Sequence, residues 1–325
     1  MLDSKLLEQF TKVAAQAAYS SSLLKGKNDK IAADQAAVDS MRNYLNKIDM
    51  NATIVIGEGE MDEAPMLFIG EKLGTGNGDP LDIAVDPLDG TTLTAKNLPD
   101  AISVIAVAEK GNLLQAPDTY MEKLAIGPDY PENIVDLDNS IETNLKNMAE
   151  FKSIKPSDLT VCLLERDRHK KIVESINKIS AKIKFISDGD VMGAIYTCIK
   201  DFNVDMYIGI GGAPEGVLAA AAIKCFGGQF QGRLAISDNE EKLRATNLGI
   251  TDLKKKYYLN DIVKGDVIFC AGGVTNGELL KGIRISKNNF LADLLVMHSD
   301  QKIIKVYTEK FEIWSKIPFL TGIGF

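Results

Sequence analysis

The sequence predicts an α/β protein whose N-terminal half is α+β and whose C-terminal half alternates strands with helices. In the second half, short apolar runs are followed by polar loops and then by helical patterns, which is typical of βαβ units in a parallel or mixed sheet. In the first half, two helical patterns precede a group of strands. Because 325 residues exceed what one hydrophobic core usually serves, we expect two domains, residues 1–153 and 154–325, with the functional site between them.

The first two predicted elements are helices. Residues 3–24 carry apolar side chains at helical spacing, and Gly26 is expected to end this helix. A second helix is predicted over residues 30–45. Asp34 lies in its first turns, where an acidic side chain suits the helix dipole. Taken alone, such a residue is more often a solvated acid than a ligand.

A strand over residues 53–56 leads directly into an acidic loop, GEGEMDE, at residues 57–63. Glycines allow the backbone to turn sharply and to approach a ligand closely. The simpler interpretation is a solvated acidic loop. However, the loop follows a buried strand and is broken by glycines rather than lysines, which favours a metal site with Glu58 as a ligand. Asp62 would then begin the next helix, near the metals.

The most informative stretch is DIAVDPLDGTT at residues 82–92. Its apolar run predicts a short buried strand that ends at Asp86, since Pro87 lacks a backbone donor and should stop the ladder. Asp89 and Gly90 are turn residues. Two carboxylates at the mouth of a sheet repel each other, and a hard divalent cation such as Mg²⁺ or Mn²⁺ would relieve that repulsion. An isolated Asp-Pro would be only a polar turn, but the full run favours a metal site.

The rest of the first half is less regular. Residues 101–108 read as a strand, and residues 112–116 are expected to return beside it as a hairpin. Residues 117–150 contain several prolines and acids and predict only a helix near their end, at residues 140–151. A polar, proline-containing link at residues 153–158 marks the expected domain boundary.

In the second half, each predicted strand ends in a polar segment. The strands are expected at residues 160–164, 183–186, 204–208 and 267–270. Ligands of such sheets bind beyond the carboxyl ends of the strands, and these polar segments lie at such ends.

The glycine-rich segment at residues 209–216 could hold a phosphate on backbone donors at a helix N-terminus. It is not a P-loop, because no Lys-Ser/Thr pair follows its last glycine. Glu215 would be either a metal ligand or an acid favoured by the helix dipole. The residues alone leave these two interpretations even.

Composition limits the possible functions. The net charge of −8 disfavours a general binder of nucleic acid or of anionic membranes. The four cysteines are far apart and form no CxxC motif, so we expect reduced core thiols. No signal peptide and no apolar run long enough to span a bilayer are evident, so a cytoplasmic location is expected.

Several motifs occur together in an order that resembles a known family. DPLDGTT is similar to the signature of the lithium-sensitive, metal-dependent sugar phosphatases, which share a layered fold of alternating helix and sheet layers. GEGEMDEAPML, APDTYMEKLAIGP, SDGDVMGAI and GIGGAPEGVLAAA narrow the resemblance to the class II fructose-1,6-bisphosphatase of bacteria. The resemblance covers residues 29–282 and is weak in the last forty residues.

This resemblance implies hydrolysis of the 1-phosphate of fructose 1,6-bisphosphate with Mn²⁺ or Mg²⁺, in a homo-oligomer such as a dimer or tetramer. The implied catalytic residues are Asp62 and Thr91, with Thr91 positioning the attacking water. The implied metal ligands are Asp34, Glu58, Asp86, Asp89 and Glu215. The implied substrate contacts are Asp89, Gly90, Thr91, Tyr120, Arg166, Asp167, Arg168, Asp188, Gly189, Asp190 and Gly212.

Two positions depart from the family pattern. Asp89 stands where some relatives have Glu, and Asp167 stands where Pro is often seen. The nearest alternative function is a related phosphatase acting on sedoheptulose 1,7-bisphosphate or an inositol phosphate. A non-catalytic sugar-phosphate sensor and a nucleotide-binding protein are further alternatives, disfavoured by the retained acids and Thr91 and by the missing P-loop lysine, respectively.

Overall fold

Helices and strands alternate along the chain in the computed structural model, which describes residues 2–57 and 67–313. The α-helices in these residues are α1 Ser4–Ser22, α2 Lys30–Leu45, α3 Thr91–Lys96, α4 Ile141–Lys152, α5 Lys170–Lys178, α6 Asp190–Ile195, α7 Ala213–Phe226, α8 Asn239–Asn247 and α9 Leu259–Ile262. The strands are β1 Asn51–Ile56, β2 Lys72–Leu73, β3 Pro80–Asp89, β4 Ile102–Glu109, β5 Tyr120–Ile126, β6 Thr160–Leu164, β7 Lys182–Ile186, β8 Met206–Gly212, β9 Gln229–Ala235, β10 Tyr257–Tyr258, β11 Val267–Gly273, β12 Arg284–Ser286, β13 Asn289–His298 and β14 Ile303–Glu312.

The strands form two mixed sheets. The first sheet has the order β12-β13-β11-β4-β3-β1-β2, and β14 pairs with β13. The second has the order β10-β9-β5-β8-β6-β7. Parallel pairs are β1 with β3, β6 with β7 and β6 with β8, whereas β4, β5 and β11 pair antiparallel with their neighbours. The predicted α/β class is therefore confirmed.

Helix and sheet layers alternate through the molecule. Helices α1 and α2 pack against each other over one face of the first sheet. Helices α6 and α7 lie between the two sheets, in a core that includes Val104 of β4, Leu218 of α7 and Met121 of β5. Helices α4 and α5 cover the outer face of the second sheet. Each sheet draws strands from both sides of residue 153, and the domain division at that residue stays a prediction.

The prediction that Pro87 ends its strand is wrong. Strand β3 continues to Asp89, with a register shift against β4 between Asp86, which pairs with Val104, and Asp89, which pairs with Ile102. Between these two pairs the chain moves three residues along β3 but only two along β4. The extra residue in β3 is a β-bulge. Pro87 is tolerated because a bulge leaves a backbone position without a ladder bond.

Two further predictions fail between residues 110 and 130. Residues 112–116 do not form a hairpin strand, since Leu113 makes only an isolated antiparallel bridge with Val263. Strand β5 was not predicted, although it lies between β9 and β8 in the second sheet. Its sequence YMEKLAI places Glu122 and Lys123 inside an otherwise apolar run, which hides the strand pattern.

The glycine-rich segment is also more regular than expected. Strand β8 continues through Gly212, and α7 begins at Ala213, with Pro214 in its first turn. Proline suits this position because the first backbone N–H groups of a helix have no partner within the helix. Strand β11 likewise continues to Gly273 and pairs antiparallel with β4 and β13.

All four cysteines are free, and Cys162, Cys225 and Cys270 are buried, as predicted. Cys198 is only partly buried. Among the residues that the structure describes, no helix combines the length and the hydropathy needed to cross a membrane.

Candidate active site

The bulge of β3 shapes the first part of the site. The Leu88 backbone N–H donates to Asp86 Oδ1 at 3.1 Å, which fixes the Asp86 side chain against its own loop. Two residues later the chain turns at Gly90, whose φ of +98° favours glycine. Thr91 then begins helix α3. The bulge and this turn place Asp86, Asp89 and Thr91 at the same end of the sheet.

Asp89 lies in a buried, strongly acidic environment. Only 5% of the residue is exposed, and its Oδ2 has no hydrogen-bond partner among the described residues. Burial raises the pKa of Asp89 well above its usual value, and the nearby carboxylates of Asp190, Glu215 and Asp188 raise it further. Lys123 opposes this effect. Burial and the neighbouring carboxylates thus disfavour the charged form of Asp89, and a bound cation would favour it.

Gly189 brings the head of helix α6 against Asp89. Its φ is +76°, and a Cβ at this position would lie 3.8 Å from Asp89 Oδ2. Asp188 and Asp190 flank this glycine, so both lie beside the Asp89 carboxylate. Burial raises the pKa of Asp188, and the Arg166 guanidinium, 3.4 Å from Asp188 Oδ1, acts in the opposite direction.

Glu215 enters the same region from the first turn of α7. Its Oε2 is buried and has no hydrogen-bond partner among the described residues. Burial raises the pKa of Glu215, Asp190 raises it further, and Lys123 lowers it. A side chain at Gly212 would overlap the Glu215 carboxylate, so glycine at the end of β8 leaves the space that this carboxylate occupies.

Arg166 and Arg168, together with Tyr120, form the rim of the site. Arg168 donates from Nε to the Ile210 carbonyl at 2.9 Å, and its guanidinium lies 4.8 Å from the centre of the Tyr120 ring. Arg166 is about one-third exposed and reaches Asp188. Asp167, by contrast, points to solvent with 94% of its side chain exposed and pairs with Lys170. The structure therefore brings the two arginines and Tyr120 to one edge, whereas Asp167 lies outside it.

His169 was not predicted from the sequence as a residue of the site. Its hydrogen bonds hold the rim in place. The ring is fully buried, with Nδ1 2.7 Å from the Leu164 carbonyl and Nε2 accepting from the Ile210 backbone N–H at 2.8 Å. It thus joins the end of β6 to β8. Burial lowers the pKa of His169, and the charges of Arg168 and Arg166 lower it further. The sequence signal for this role was the position of the histidine, directly after the charged segment 165–168 that follows the predicted strand at residues 160–164.

Lys123 was also missed. It lies in β5 with 1% of its side chain exposed and donates to Asp190 Oδ2 at 2.6 Å. The Tyr207 hydroxyl donates to the same oxygen at 3.2 Å. Side chains alternate along a strand, so Lys123 lies on the same face as the apolar Met121 and Ala125. This position was the sequence signal that the lysine is buried.

The remaining predicted residues are placed less fully. Asp34 is half-buried in α2, and this helix packs against α3, which begins at Thr91. Glu58 and Asp62 lie outside the described residues.

The described residues fit part of a cation site. Asp89 Oδ2 and Glu215 Oε2 are buried oxygens without hydrogen-bond partners among these residues, and oxygen ligands of this kind suit Mg²⁺ and Mn²⁺. Within residues 2–57 and 67–313, however, no group of three or more His, Cys, Asp or Glu side chains is arranged to hold a metal ion. The described carboxylates could thus supply individual ligands, but by themselves they do not form a closed set.

A buried acidic site between two sheets, rimmed by arginines, has the charge pattern of an enzyme that uses a cation to act on a phosphorylated substrate. Sequence comparison identifies the family. The chain belongs to the family described as "Bacterial fructose-1,6-bisphosphatase, glpX-encoded", which matches residues 4–311.

Curated relatives agree with this assignment. The "Fructose-1,6-bisphosphatase class 2" of Haemophilus influenzae is 43% identical over 318 residues, covering 94% of this chain and 95% of the relative. The "Fructose-1,6-bisphosphatase 1 class 2" of Escherichia coli strain K12 is 42% identical over 314 residues, covering 93% of each chain.

Solved structures show a weaker similarity. The extragenic suppressor protein suhB of Bartonella henselae aligns with a TM-score of 0.34 at 14% identity, covering 60% of this chain and 74% of that one. An IMPase of Thermotoga maritima aligns with a TM-score of 0.29 at 15% identity, covering 62% of this chain and 79% of that one.

Proposed function

We propose that the protein hydrolyses the 1-phosphate of fructose 1,6-bisphosphate to give fructose 6-phosphate and phosphate. The observation that carries this proposal is the family match over residues 4–311, together with relatives of this name at 42% and 43% identity. The buried acids and the arginine rim agree with a substrate that carries two phosphates.

We propose that divalent cations, Mn²⁺ or Mg²⁺, are held by Asp34, Glu58, Asp86, Asp89 and Glu215. Asp89 Oδ2 and Glu215 Oε2, which are buried and have no hydrogen-bond partner in the part of the chain that the structure describes, support two members of this set. When bound, such cations neutralise phosphate charge and lower the pKa of a bound water. Asp34 enters the set from the family resemblance alone, whereas Glu58 enters it from the acidic loop at residues 57–63 and from the same resemblance.

The chain's own residues would orient the reacting groups. Thr91 stands at the first position of α3, directly after the turn at Gly90, where its hydroxyl would position the attacking water. Asp62 is proposed, from the family resemblance, as a catalytic acid near that water. Since phosphoryl transfer needs positioning and charge stabilisation more than covalent chemistry, a fixed hydroxyl and fixed carboxylates suit the reaction.

The retained part of the substrate would contact the rim. Arg166 and Arg168 suit the 6-phosphate, because guanidinium groups bind phosphate through paired hydrogen bonds. Tyr120, whose ring is stacked by Arg168, lies opposite Gly212 in the ladder between β5 and β8. Asp188 and Asp190, on either side of Gly189, would accept hydrogen bonds from sugar hydroxyls. Asp167 was predicted as a contact too, but its exposure and its pairing with Lys170 support a role at most at the outer edge.

We further propose that the protein works as a cytoplasmic homo-oligomer, a dimer or tetramer, which rests on the family resemblance.

A substrate panel tests the assignment. With Mn²⁺ present, fructose 1,6-bisphosphate should be hydrolysed with a higher kcat/KM than sedoheptulose 1,7-bisphosphate, fructose 1-phosphate or inositol 1-phosphate. The product, followed by phosphorus NMR, should be fructose 6-phosphate, because the rim retains the second phosphate. Preference for another substrate in the panel, or release of the 6-phosphate, would contradict the proposal.

A further inference from the structure

Lys123 is a fully buried lysine in the second sheet. It projects from β5, which lies between β9 and β8 in the second sheet, and 1% of its side chain is exposed. Burying a charged group is costly, and a buried ion pair is often no more stabilising than apolar residues of the same size. The position of Lys123 therefore calls for an explanation beyond stability.

The structure reserves space for the contact between Lys123 and Asp190. A Cβ at Gly211 would overlap Asp190 Oδ2 and lie 3.1 Å from Lys123 Nζ. A Cβ at Gly216 would lie 3.2 Å from Lys123 Cε, closer than most real contacts of this kind. Two glycines at the junction of β8 and α7 thus accommodate the pair.

The Asp190 carboxylate is held from two directions. Lys123 Nζ and the Tyr207 hydroxyl both donate to Oδ2, at 2.6 and 3.2 Å. Tyr207 is itself fully buried, in β8. Asp190 begins α6 directly after Gly189, which lies against Asp89. The contact with Lys123 therefore fixes Asp190, the first residue of α6, beside the Asp89 carboxylate.

We propose that Lys123 is a positioning residue that acts through Asp190, holding this carboxylate where it accepts a hydrogen bond from a sugar hydroxyl of the substrate. The inference rests on the function proposed above. Because the Lys123 side chain is fully buried, it would act on the substrate through Asp190 rather than by direct contact. Its removal should therefore weaken substrate binding to the same extent as the loss of the Asp190 charge.

A double-mutant cycle tests the proposal. Lys123→Met keeps the length of the side chain and removes its charge, and Asp190→Asn removes the partner charge. The double variant Lys123→Met/Asp190→Asn removes both charges of the buried ion pair and leaves neither partner charged without the other, so it should fold even if Lys123→Met alone does not. Lys224→Met is the matched control, since Lys224 is a partly buried lysine of α7 that hydrogen-bonds to the Val263 carbonyl and to Asn260.

The expected result is a rise in KM of about 10-fold or more for Asp190→Asn, corresponding to one lost hydrogen bond to substrate, with a smaller change in kcat. Lys123→Met should show a rise of similar size, and the double variant should be no worse than Asp190→Asn. Lys224→Met should keep the wild-type KM.

Three outcomes would overturn the inference. The first is a folded Lys123→Met protein with the wild-type KM. The second is a double variant whose KM exceeds that of Asp190→Asn by the full effect of Lys123→Met, because Lys123 would then act independently. The third is an inactive wild type in the same assay, which would overturn the proposed function as well; an active wild type with unaffected variants removes only the inference.

Discussion

Asp86 offers the sharpest residue-level test of the proposed cation site. We expect Asp86→Asn to lower kcat at least about 100-fold, the usual size of losing a group that stabilises transition-state charge. Asparagine keeps the oxygen that accepts from the Leu88 N–H, so the turn should survive. Steady-state kinetics and a thermal melt measure the two effects. Near-wild-type turnover by a folded variant would show that Asp86 is not a ligand.

Arg166 tests the rim of the site. We expect Arg166→Ala to raise KM for fructose 1,6-bisphosphate more than it lowers kcat, because the guanidinium would bind the retained phosphate in the ground state and the transition state alike. Lys170→Ala is the control, since Lys170 is an exposed neighbouring cation that pairs with Asp167. Equal KM values for the two variants would remove Arg166 from substrate binding.

At the residue scale, the sequence suggests candidate ligands more readily than it suggests the contacts that hold side chains in place. The acids of the central motif and Glu215 could be named from their motifs, and the structure places Asp89 and Glu215 in one charged environment. Lys123 and His169 could not be found in this way, because their roles depend on partners 67 and 41 residues away in the chain. Sequence patterns report local spacing and carry little information about such long-range contacts.

At the element scale, His169 joins β6 to β8, and its burial predicts that the stability of this junction depends on pH. Burial lowers the pKa of His169, so the folded protein favours the neutral ring. An unfolded chain takes up the proton near its ordinary pKa of about 6.5. The stability contributed by the neutral ring is therefore complete above this pH and is lost as the pH falls below it.

We accordingly expect the melting temperature of the wild type to fall more steeply between pH 7.5 and 5.5, values chosen to span the ordinary histidine pKa of about 6.5, than that of His169→Gln. Other groups titrate in both proteins, so the difference between the two melting curves isolates His169. Parallel curves would show that this ring does not couple proton uptake to unfolding.

Elements with strong local signals were predicted well. Helix α2 spans the predicted residues 30–45, because its apolar spacing is regular and Asp29 caps its first turn by accepting from the Ala32 N–H at 2.9 Å. Strand β5 was missed because Lys123 interrupts its apolar pattern. The end of β3 was misjudged because a bulge accommodates Pro87. In both strands, tertiary contacts override the local pattern.

At the scale of the whole molecule, the buried acids predict that metal binding stabilises the fold. A ligand that binds only the folded state at 100 times its Kd adds about 2.7 kcal/mol. Saturating Mn²⁺ or Mg²⁺ should therefore raise the melting temperature by several degrees, and EDTA should reverse the rise. Asp86→Asn should show a smaller shift. An unchanged melting temperature at millimolar metal would count against a preformed cation site.

The layered architecture explains why residues distant in sequence meet at one site. Asp89 comes from the first sheet, while Asp190 and Glu215 head the two helices packed between the sheets. The alternation of strands and helices was visible in the sequence, whereas the assignment of β11 to β14 to the first sheet was not. Antiparallel additions to a sheet leave no local mark of which sheet they join.

The most direct test of the central claim is phosphate release from fructose 1,6-bisphosphate, measured in parallel with EDTA, Mg²⁺ and Mn²⁺. We expect release with at least one of the two metals, fructose 6-phosphate as the product, and none above background with EDTA. Release that is equally fast in EDTA would contradict the proposal that the carboxylates of the site bind a cation needed for the reaction. No release with either metal, from a protein shown to be folded, would contradict the proposed function itself.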